Sequence, residues 1–159
     1  MKIELRPIGY VHSELKDPSD CPIQPSFSEH VGEIEVLDEY VEGLRDLDGF
    51  SHITLVFYFD RVKSFDLLTY PYLDDKKRGV FATRTPRRPN PVGLSVLQIL
   101  NIEGNRIKVK GIDILDNTPV LDIKPFVPGF VESYDQVKIS WLSDKIRIAA
   151  YSRKTQSRE

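Results

Sequence analysis

Residues 94–115 constrain the fold of this chain more than any other segment. Two apolar runs, residues 94–102 and 106–115, are joined by Glu103-Gly104-Asn105. Glycine and asparagine tolerate the positive φ of a tight hairpin loop, so the two runs are predicted to pair as antiparallel strands.

The second run of the hairpin changes phase at Gly111. Ile107 and Val109 lie on one parity of the strand, whereas Ile112 and Ile114 lie on the other. A β-bulge at Gly111 would account for the change, because a bulge inserts one extra residue into a strand. Bulges also bend strands in the way that closes a sheet into a barrel.

The rest of the chain shows short apolar runs that end at turn residues, with few helical signals. Asp38 is predicted to cap a short amphipathic helix over residues 39–47. A first strand ends at Val11 and is interrupted at Pro7. Further strands are predicted at residues 32–37, 53–59, 79–83, 120–126 and 137–142. The expected protein is mainly β, with one or two short helices.

The chain has 159 residues, the size of one domain, and no internal repeat or linker divides it. We expect one domain over residues 1–150 and a polar tail over 151–159. The single cysteine, Cys21, and the absence of an apolar signal core at the start favour a cytoplasmic protein. No apolar run reaches the roughly 20 residues of a membrane helix, so no membrane contact is expected. The three histidines have no metal-like spacing, and no metal site is expected.

The formal net charge of −2 argues against non-specific coating of nucleic acid, so a polyanion partner would have to meet a local basic patch. Pro86, Pro89 and Pro91 stiffen a loop that carries several arginines. Guanidinium groups held in this way suit phosphate or carboxylate recognition, although solubility explains them equally well. The two patches are Lys76, Lys77 and Arg78, and then Arg84, Arg87 and Arg88.

Residues 113–126 form a second unusual segment, in which a strand enters a turn and returns as a strand. Residues 116–119, Asp-Asn-Thr-Pro, are typical of a turn, because Asp and Asn bond their own backbone and tolerate left-handed φ. Strand alternation places Asp122 and Lys124 on one face. The pair is either an exposed ion pair or part of a polar site lined by that face.

Four ordered blocks of the chain stand out together: residues 7–11, 49–53, 81–95 and 116–128, which include Arg-Pro-Asn-Pro-Val-Gly-Leu-Ser at 88–95 and Asp-Ile-Lys-Pro-Phe at 122–126. In this order the blocks resemble the TsaA-like (TrmO) family of tRNA methyltransferases. The resemblance implies a single-domain, closed or nearly closed β-barrel that forms a homodimer. It also implies methyl transfer from S-adenosylmethionine to N6 of threonylcarbamoyl-adenosine beside the anticodon of tRNA.

The resemblance also implies which residues hold S-adenosylmethionine. Bacterial members tend to have Arg at position 23, a His-Gln pair at 60–61 and Gly at 117, so Ile23, Asp60, Arg61 and Asn117 are expected to act through backbone groups. The cofactor-binding positions carried over are Pro22, Ile23, Gln24, Asp60, Arg61, Arg84, Leu94, Asp116, Asn117, Thr118 and Pro119.

Methyl transfer from a good leaving group requires alignment of the acceptor and removal of its proton. Asp116 and Asp122 are candidates for the base or for orienting the acceptor, and Asn90 is a candidate for holding the exocyclic group of the substrate. Asp116 is equally well explained as a turn residue. The substrate-binding candidates are Lys76, Lys77, Arg78, Arg87, Arg88 and Lys124.

Two other functions remain open at this point. The first is an S-adenosylmethionine-binding enzyme that acts on a small molecule, which the acidic pI of about 6.0 supports. The second is a non-catalytic sensor of S-adenosylmethionine. The lack of a Gly-x-Gly-x-x-Gly motif after a strand disfavours a Rossmann-type methyltransferase.

Overall fold

The computed structural model describes residues 1–21, 28–130, 137–143 and 145. Eight strands lie in these residues: β1 Gly9–His12, β2 Val31–Val36, β3 His52–Tyr58, β4 Leu68–Thr69, β5 Arg78–Gly79, β6 Val92–Glu103, β7 Arg106–Lys110 and β8 Pro119–Pro125. Within the described ranges, six strands close into an antiparallel barrel in the order β1-β2-β7-β6-β3-β8, and β4 and β5 form a separate pair. The predicted mainly β, closed-barrel fold is confirmed.

Side chains of the barrel strands alternate between the interior and the outer surface. In β3, Ile53, Leu55 and Phe57 are buried. Gly93 of β6 faces Phe57, and a Cβ there would lie 2.4 Å from the Phe57 ring, so this position accepts no side chain. The remaining interior is filled by Val11, Ile34, Val36, Leu47, Leu97, Ile107, Val109, Ile112, Ile114 and Val120.

The predicted hairpin is confirmed as β6 and β7, which pair from Glu103↔Arg106 onwards. The bulge predicted at Gly111 is wrong. Strand β7 ends at Lys110, and the register shift lies on the partner strand, between Ile99 and Asn101. Gly111 follows the strand with a φ of 92°, a left-handed conformation that glycine adopts without strain. This turn of the backbone, and not an extra residue in β7, causes the change of parity.

The helix predicted over residues 39–47 is replaced by two short 3₁₀ helices, Asp38–Leu44 and Leu47–Gly49. Asp46 separates them with a φ of 67°, which breaks a continuous helix. Asp38 is the first helical residue, and the capping position is Leu37, which forms no side-chain cap. The predicted apolar face survives, because Leu47 is buried against the core.

Two predicted strands are also wrong. Residues 79–83 contain only the end of β5, followed by the 3₁₀ helix Val80–Ala82, because β5 pairs with β4 and not with the barrel. Residues 137–142 form turns that lead into a helical turn at Leu142. The predicted tail, residues 151–159, lies outside the described residues. Among the helices of the described ranges, none combines the length and the apolar character that crossing a bilayer would require.

Antiparallel pairing brings alternate strand ends to the same end of the barrel. At one end, which we call the loop rim, β1, β3 and β7 end and β2, β6 and β8 begin. Residues 111–118, here called the crossover, pass from β7 to β8 across this rim. The backbone N–H groups of Gly111 and Ile112 both donate to the His30 carbonyl, and Ile112 and Ile114 are buried beneath it. The crossover therefore closes the barrel at the loop rim.

Candidate functional site

The loop rim gathers most of the residues predicted to bind the cofactor. Asp60 and Arg61 follow the end of β3, and Leu94 lies near the start of β6. Residues 116–119 complete the crossover and enter β8. The predicted residues Pro22, Ile23 and Gln24 lie outside the described residues, between the end of β1 and the start of β2. The antiparallel topology therefore explains why positions far apart in sequence converge.

The predicted turn at Asp116 is confirmed. Asn117 adopts a φ of 61°, and its backbone N–H donates to the Val11 carbonyl at 2.7 Å. Thr118 is buried, and its carbonyl accepts from the backbone N–H of Val11 at 3.0 Å. Pro119 pairs with Tyr10 across the β1–β8 ladder. These bonds attach the turn to the end of β1.

The carboxylate of Asp116 is fully engaged by donors. Its Oδ1 accepts from the backbone N–H of Ser13 at 3.0 Å, and its Oδ2 accepts from Asn117 Nδ2 at 3.0 Å and from Lys16 Nζ. The hydrogen bond from Lys16 holds the pKa of Asp116 below its usual range, and the Ser13 bond acts in the same direction. A carboxylate stabilised in its ionised form is a weak base. The contacts therefore favour the turn-forming role that the sequence left open.

Arg61 is joined to the same turn. Its Nη2 donates to the Asp116 carbonyl at 2.6 Å. Cys21, the last described residue before position 22, lies near enough for Asp113 and Arg61 to affect its charge. Burial and, next, Asp113 raise the pKa of the Cys21 thiol to about 11, so the thiol stays protonated and unreactive at neutral pH. Asp60 is exposed, and its backbone N–H donates to the Tyr58 carbonyl.

Asp113 is a candidate site residue that the sequence reasoning missed. Ser95, which faces the barrel interior and is 3% exposed, donates through Oγ to Asp113 Oδ1 at 2.8 Å. Burial raises the pKa of Asp113 to about 6, against the lowering effects of the Ser95 bond and of the Arg84 charge. Carboxyls with raised pKa values concentrate at functional sites. The Ser95 position in the block at 88–95 was the available signal, because a serine facing a barrel interior needs a polar partner.

Arg84 lies close to Asp113 and also forms a hydrogen bond at the barrel surface. Its Nη2 donates to the Leu94 carbonyl at 2.9 Å, and its charge acts on Asp113. This bond uses one of the five N–H donors of the guanidinium. Leu94 itself points outwards, with half of its surface exposed. Two predicted cofactor-binding residues are thus in direct contact.

A groove of about 600 Å³ runs along the outer face of β6 beside this pair. Its volume lies in the range of small-molecule sites, about 300–1,000 Å³. Its lining combines apolar side chains with polar and charged ones. The lining residues are Ser28, Glu29, His52, Thr54, Arg84, Leu94, Val96, Gln98, Lys110 and Gly111.

His52, which lies in the sequence block at 49–53, contacts both Ser51 and Phe126. Its Nδ1 forms a hydrogen bond of 2.8 Å with Ser51 Oγ, and its ring meets the Phe126 ring edge-on. It also lines the groove. The imidazole is therefore held in one orientation at the edge of the candidate site.

Asp122 and Lys124 face the same outer surface as the groove. Lys124 is the ladder partner of Thr54, and Asp122 is the partner of Val56, which pairs on its other side with Leu94. Asp122 is therefore two strands away from Leu94 on one face, roughly 10 Å at the usual strand spacing. The two side chains form an exposed ion pair of 2.7 Å. The shared face predicted from sequence is confirmed.

The predicted basic residues lie on the loops before β6, where three of the arginines make contacts within the loops. Arg78 binds Asp74 through Nε and Nη2, at 2.9 and 2.6 Å. Arg87 binds Asp66 at 2.8 Å. Nη1 of Arg88 donates to the carbonyls of Val80, Thr83 and Thr85. Lys76 and Lys77 are exposed and have no ion-pair partner within the described ranges.

Asn90, the candidate for holding the substrate, is exposed where the proline loop enters β6. Its carbonyl accepts from the backbone N–H of Val92 at 2.8 Å, and the next carbonyl, of Pro91, accepts from Phe59. Asn90 is thus held beside the end of β3 at the loop rim. The described residues contain no group of three or more His, Cys, Asp or Glu placed to hold a metal ion.

The fold is a closed six-stranded β-barrel, and its outer surface carries a groove lined by residues of β3, β6 and the neighbouring loops. The family model described as the tRNA-methyltransferase O N-terminal domain matches residues 10–132, and the chain belongs to this family. The family predicted from the four sequence blocks is therefore confirmed.

Similar proteins carry related names. The chain is 48% identical over 142 residues to a probable S-adenosyl-L-methionine-binding protein of Pyrococcus abyssi, covering 89% of this chain and 77% of that protein. It is 33% identical over 132 residues to the tRNA (adenine(37)-N6)-methyltransferase of Mus musculus, covering 78% of this chain and 31% of that protein.

A crystal structure of TrmO superposes on the chain with a TM-score of 0.74 and 38% identity. The match covers 87% of this chain and 64% of the solved one, so the chain spans less than two thirds of that TrmO molecule. The predicted barrel is thus shared with a solved member of the family.

Proposed function

We propose that this chain binds S-adenosylmethionine and methylates N6 of threonylcarbamoyl-adenosine beside the anticodon of tRNA. The observation that carries the proposal is the groove along β6, which is lined by Arg84 and Leu94; Asp122 lies outside the groove lining, two strands from Leu94 on the same outer face. Family membership supports methyl transfer, and the name of the Pyrococcus abyssi relative supports the cofactor.

The groove suits a molecule with an apolar ring system and several charged groups. Leu94 and Val96 offer apolar contact, and Gln98, Thr54 and His52 offer hydrogen-bonding groups on the same surface. The Arg84 guanidinium suits a carboxylate, which it can bind in a bidentate manner. These chemical types match the adenine, ribose and amino-acid parts of S-adenosylmethionine.

S-adenosylmethionine, when bound, supplies a methyl group on a positively charged sulfur with a neutral thioether as leaving group. The protein must then hold the acceptor nitrogen in line and take up its proton. We assign the proton to Asp122, because it shares the outer face of β3, β6 and β8 with Leu94. The Asp122 carboxylate accepts from the backbone N–H of Ile123 through Oδ1 and pairs with Lys124 through Oδ2.

The tRNA acceptor is supported by the name of the mouse relative, a tRNA (adenine(37)-N6)-methyltransferase. The chain also places its exposed lysines, Lys76 and Lys77, on the loops that lead to Arg84 and the groove. An acidic chain that binds RNA needs such a local patch. The names of the S-adenosylmethionine-binding relatives do not mention tRNA, so they do not support the tRNA acceptor.

We also propose that the chain acts as a homodimer. The outer face of β3 and β6 exposes an apolar strip of Tyr58, Leu94, Val96 and Leu100, in which Leu94 and Val96 also line the groove. Strips of this kind are typical of association surfaces. Light scattering would give twice the monomer mass, and a monomer at micromolar concentration would contradict this part of the proposal.

The function is tested by incubating the protein with labelled S-adenosylmethionine and total tRNA from a strain that lacks the gene. Mass spectrometry of the digested tRNA would show one added methyl group on threonylcarbamoyl-adenosine. Methylation of a small molecule but not of tRNA would favour the small-molecule enzyme, and cofactor binding with no transfer to either would favour the sensor.

Cofactor binding is predicted at about micromolar affinity, and Arg84→Ala is predicted to weaken it roughly tenfold or more. The fold should persist, because Arg84 is exposed and its bond to Leu94 is made at the surface. Calorimetry gives the affinity, and thermal melting gives the control. Arg45→Ala, which changes an exposed arginine next to the 3₁₀ helix Asp38–Leu44, should leave the affinity unchanged. Equal affinities of Arg84→Ala and wild type would remove Arg84 from the site.

A further inference from the structure

The chain exposes an unusual number of aromatic rings in one segment, residues 65–81, here called the aromatic hairpin. Tyr72 is 82% exposed and Phe81 77%, and Phe65 and Tyr70 are also more than half exposed. The other exposed aromatic rings in the described ranges, Tyr10, Phe50 and Tyr58, lie between 37% and 41%. Exposing large rings to water is unfavourable, so a concentration of them marks a binding surface.

The hairpin holds these rings on a fixed backbone. Strands β4 and β5 pair at its base, and the backbone N–H of Val80 donates to the Leu67 carbonyl at 2.9 Å. The Arg78 guanidinium is held by Asp74, whose side chain is 5% exposed. Arg88 donates to three carbonyls behind Phe81 and stacks over that ring at 6.0 Å. The arginines predicted to bind phosphate therefore hold the loops in shape.

Positive charge accompanies the rings. The aromatic hairpin itself has three Lys and Arg and three Asp, and the flanking residues up to 63 and 91 add four more Lys and Arg and no acidic residue. Lys77 Nζ lies 5.5 Å from the centre of the Tyr70 ring, and Lys76 beside it is exposed. Lysines placed among exposed rings disfavour an apolar protein partner, because docking would remove their charges from water.

Exposed rings with neighbouring cations match the chemistry of a single-stranded nucleic acid. Unpaired bases stack on aromatic side chains, and the phosphates between them contact cations. Phe81 is three residues before Arg84, which lines the groove, so this surface is continuous along the chain with the candidate site.

We propose that the aromatic hairpin binds unpaired bases of the RNA substrate, with Tyr70, Tyr72 and Phe81 stacking on bases and Lys76 and Lys77 contacting phosphates. This inference rests on the proposed tRNA acceptor. It assigns base stacking to the rings, and it restricts the phosphate contacts to the two lysines in place of the larger set of basic residues expected from sequence.

The test compares two RNA probes by fluorescence anisotropy: a hairpin with the anticodon loop, and a duplex of the same stem without unpaired bases. Tyr72→Ala and Phe81→Ala should each weaken binding of the loop hairpin roughly tenfold, the scale of one base–aromatic stack. Binding of the duplex should not change, and Tyr72→Trp should retain binding because the ring is kept. The matched control is Phe50→Ala, which removes an exposed ring outside the aromatic hairpin, next to the 3₁₀ helix Leu47–Gly49.

Salt dependence separates phosphate binding from base stacking. Replacing Lys76 and Lys77 together by alanine should reduce the slope of log affinity against log salt by roughly 0.7 to 0.9 for each phosphate that the two lysines neutralise. The ring variants should keep the wild-type slope. Calorimetry with S-adenosylmethionine should give wild-type affinity for every variant, which shows that the fold is kept.

The outcomes distinguish this inference from the proposed function. If wild type methylates tRNA and the ring variants bind the loop hairpin as tightly as wild type, the hairpin does not stack bases and the function stands. Ring variants that alter only the dimer mass would assign the surface to a second copy of the chain and overturn the inference. Wild type that neither binds the RNA loop nor methylates tRNA would overturn both.

Discussion

The crossover carries two carboxylates with opposite electrostatic environments. Its inner half holds Asp113, whose pKa is raised to about 6, mainly by burial. Its outer half holds Asp116, whose pKa is lowered, mainly by the hydrogen bond from Lys16. The two side chains belong to the same residue type and lie three positions apart. Their surroundings, not their chemistry, decide which one gives up its proton more readily.

The difference shows which half of the crossover stabilises the fold. The donors around Asp116 favour its charged form, so this carboxylate contributes stability at neutral pH. The charged form of Asp113 is disfavoured by burial, so this carboxylate costs stability at neutral pH. Asp113 therefore lowers the stability of the fold, and it lies near Arg84 and the groove. A carboxyl group with these two properties is typical of a functional position.

The largest expected effect is a fall in the stability of the wild type between about pH 4 and about pH 6. The folded-state pKa of Asp113 is raised above the unfolded value, so the folded chain binds this proton more tightly, and the free energy of unfolding decreases as the proton is lost. Two pKa units correspond to roughly 2–3 kcal/mol. Asp113→Asn should abolish the fall and should be the more stable protein at neutral pH.

Urea unfolding over this pH range measures the effect. Asn at position 113 can still accept the Ser95 hydrogen bond through its side-chain oxygen, so the packing is kept. The matched control is Asp48→Asn, which changes an exposed carboxylate outside the crossover and should retain the wild-type pH dependence. A difference in free energy of unfolding between wild type and Asp113→Asn that does not change over this range would contradict the desolvation of Asp113.

The contrast between the two carboxylates could be predicted from sequence only in part. The turn at Asp116 was predicted correctly, because Asp-Asn before Thr-Pro has local conformational preferences that tertiary contacts do not override. The burial of Asp113 depends on the turn at Gly111 and on Ser95, a residue 18 positions earlier in the chain. Sequence alone shows four neighbouring residues, Asp-Ile-Leu-Asp, without indicating which carboxylate faces inwards.

The other predictions were also correct where local sequence determines the structure, and wrong where contacts between distant residues determine it. The β6–β7 hairpin and the shared face of Asp122 and Lys124 follow from turn chemistry and strand alternation, and both were predicted correctly. The strand predicted at residues 79–83 is wrong, because β5 pairs with β4 outside the barrel, and no local pattern indicates that partner. The family resemblance located the rim residues, whereas the groove required the three-dimensional arrangement.

A smaller effect, of the opposite sign, is expected for Asp116→Asn. The pKa of Asp116 is lowered in the folded state, so its contribution is present above the unfolded pKa of roughly 4 and is lost as the pH falls below it. The variant loses charge-assisted bonds from Ser13 and Lys16 and should be less stable than wild type by about 1 kcal/mol at neutral pH.

Urea unfolding of wild type and Asp116→Asn at acidic pH checks this prediction. The gap between Asp116→Asn and wild type should narrow between about pH 4 and about pH 3, and it should close only below the lowered pKa of Asp116, where the folded carboxyl is also protonated. Asp48→Asn again serves as the control. A gap that stays constant down to this pH would show that the variant loses turn geometry and not charge.

The smallest expected effect is that of Lys16→Gln, which removes the first cause of the lowered Asp116 pKa. The Lys16 side chain is 66% exposed, and exposed ion pairs contribute only about 0.2–1 kcal/mol. The stability loss should therefore lie at the low end of that range and should shrink at high salt. The more sensitive measurement is an NMR titration of the Asp116 carboxyl carbon, whose pKa should rise towards its usual value. Lys63→Gln, which changes an exposed lysine outside the crossover, should leave that titration unchanged. If the pKa of Asp116 does not move in Lys16→Gln, the backbone bond from Ser13 is the dominant cause, and the outer half of the crossover is stabilised by the end of β1 and not by a surface charge.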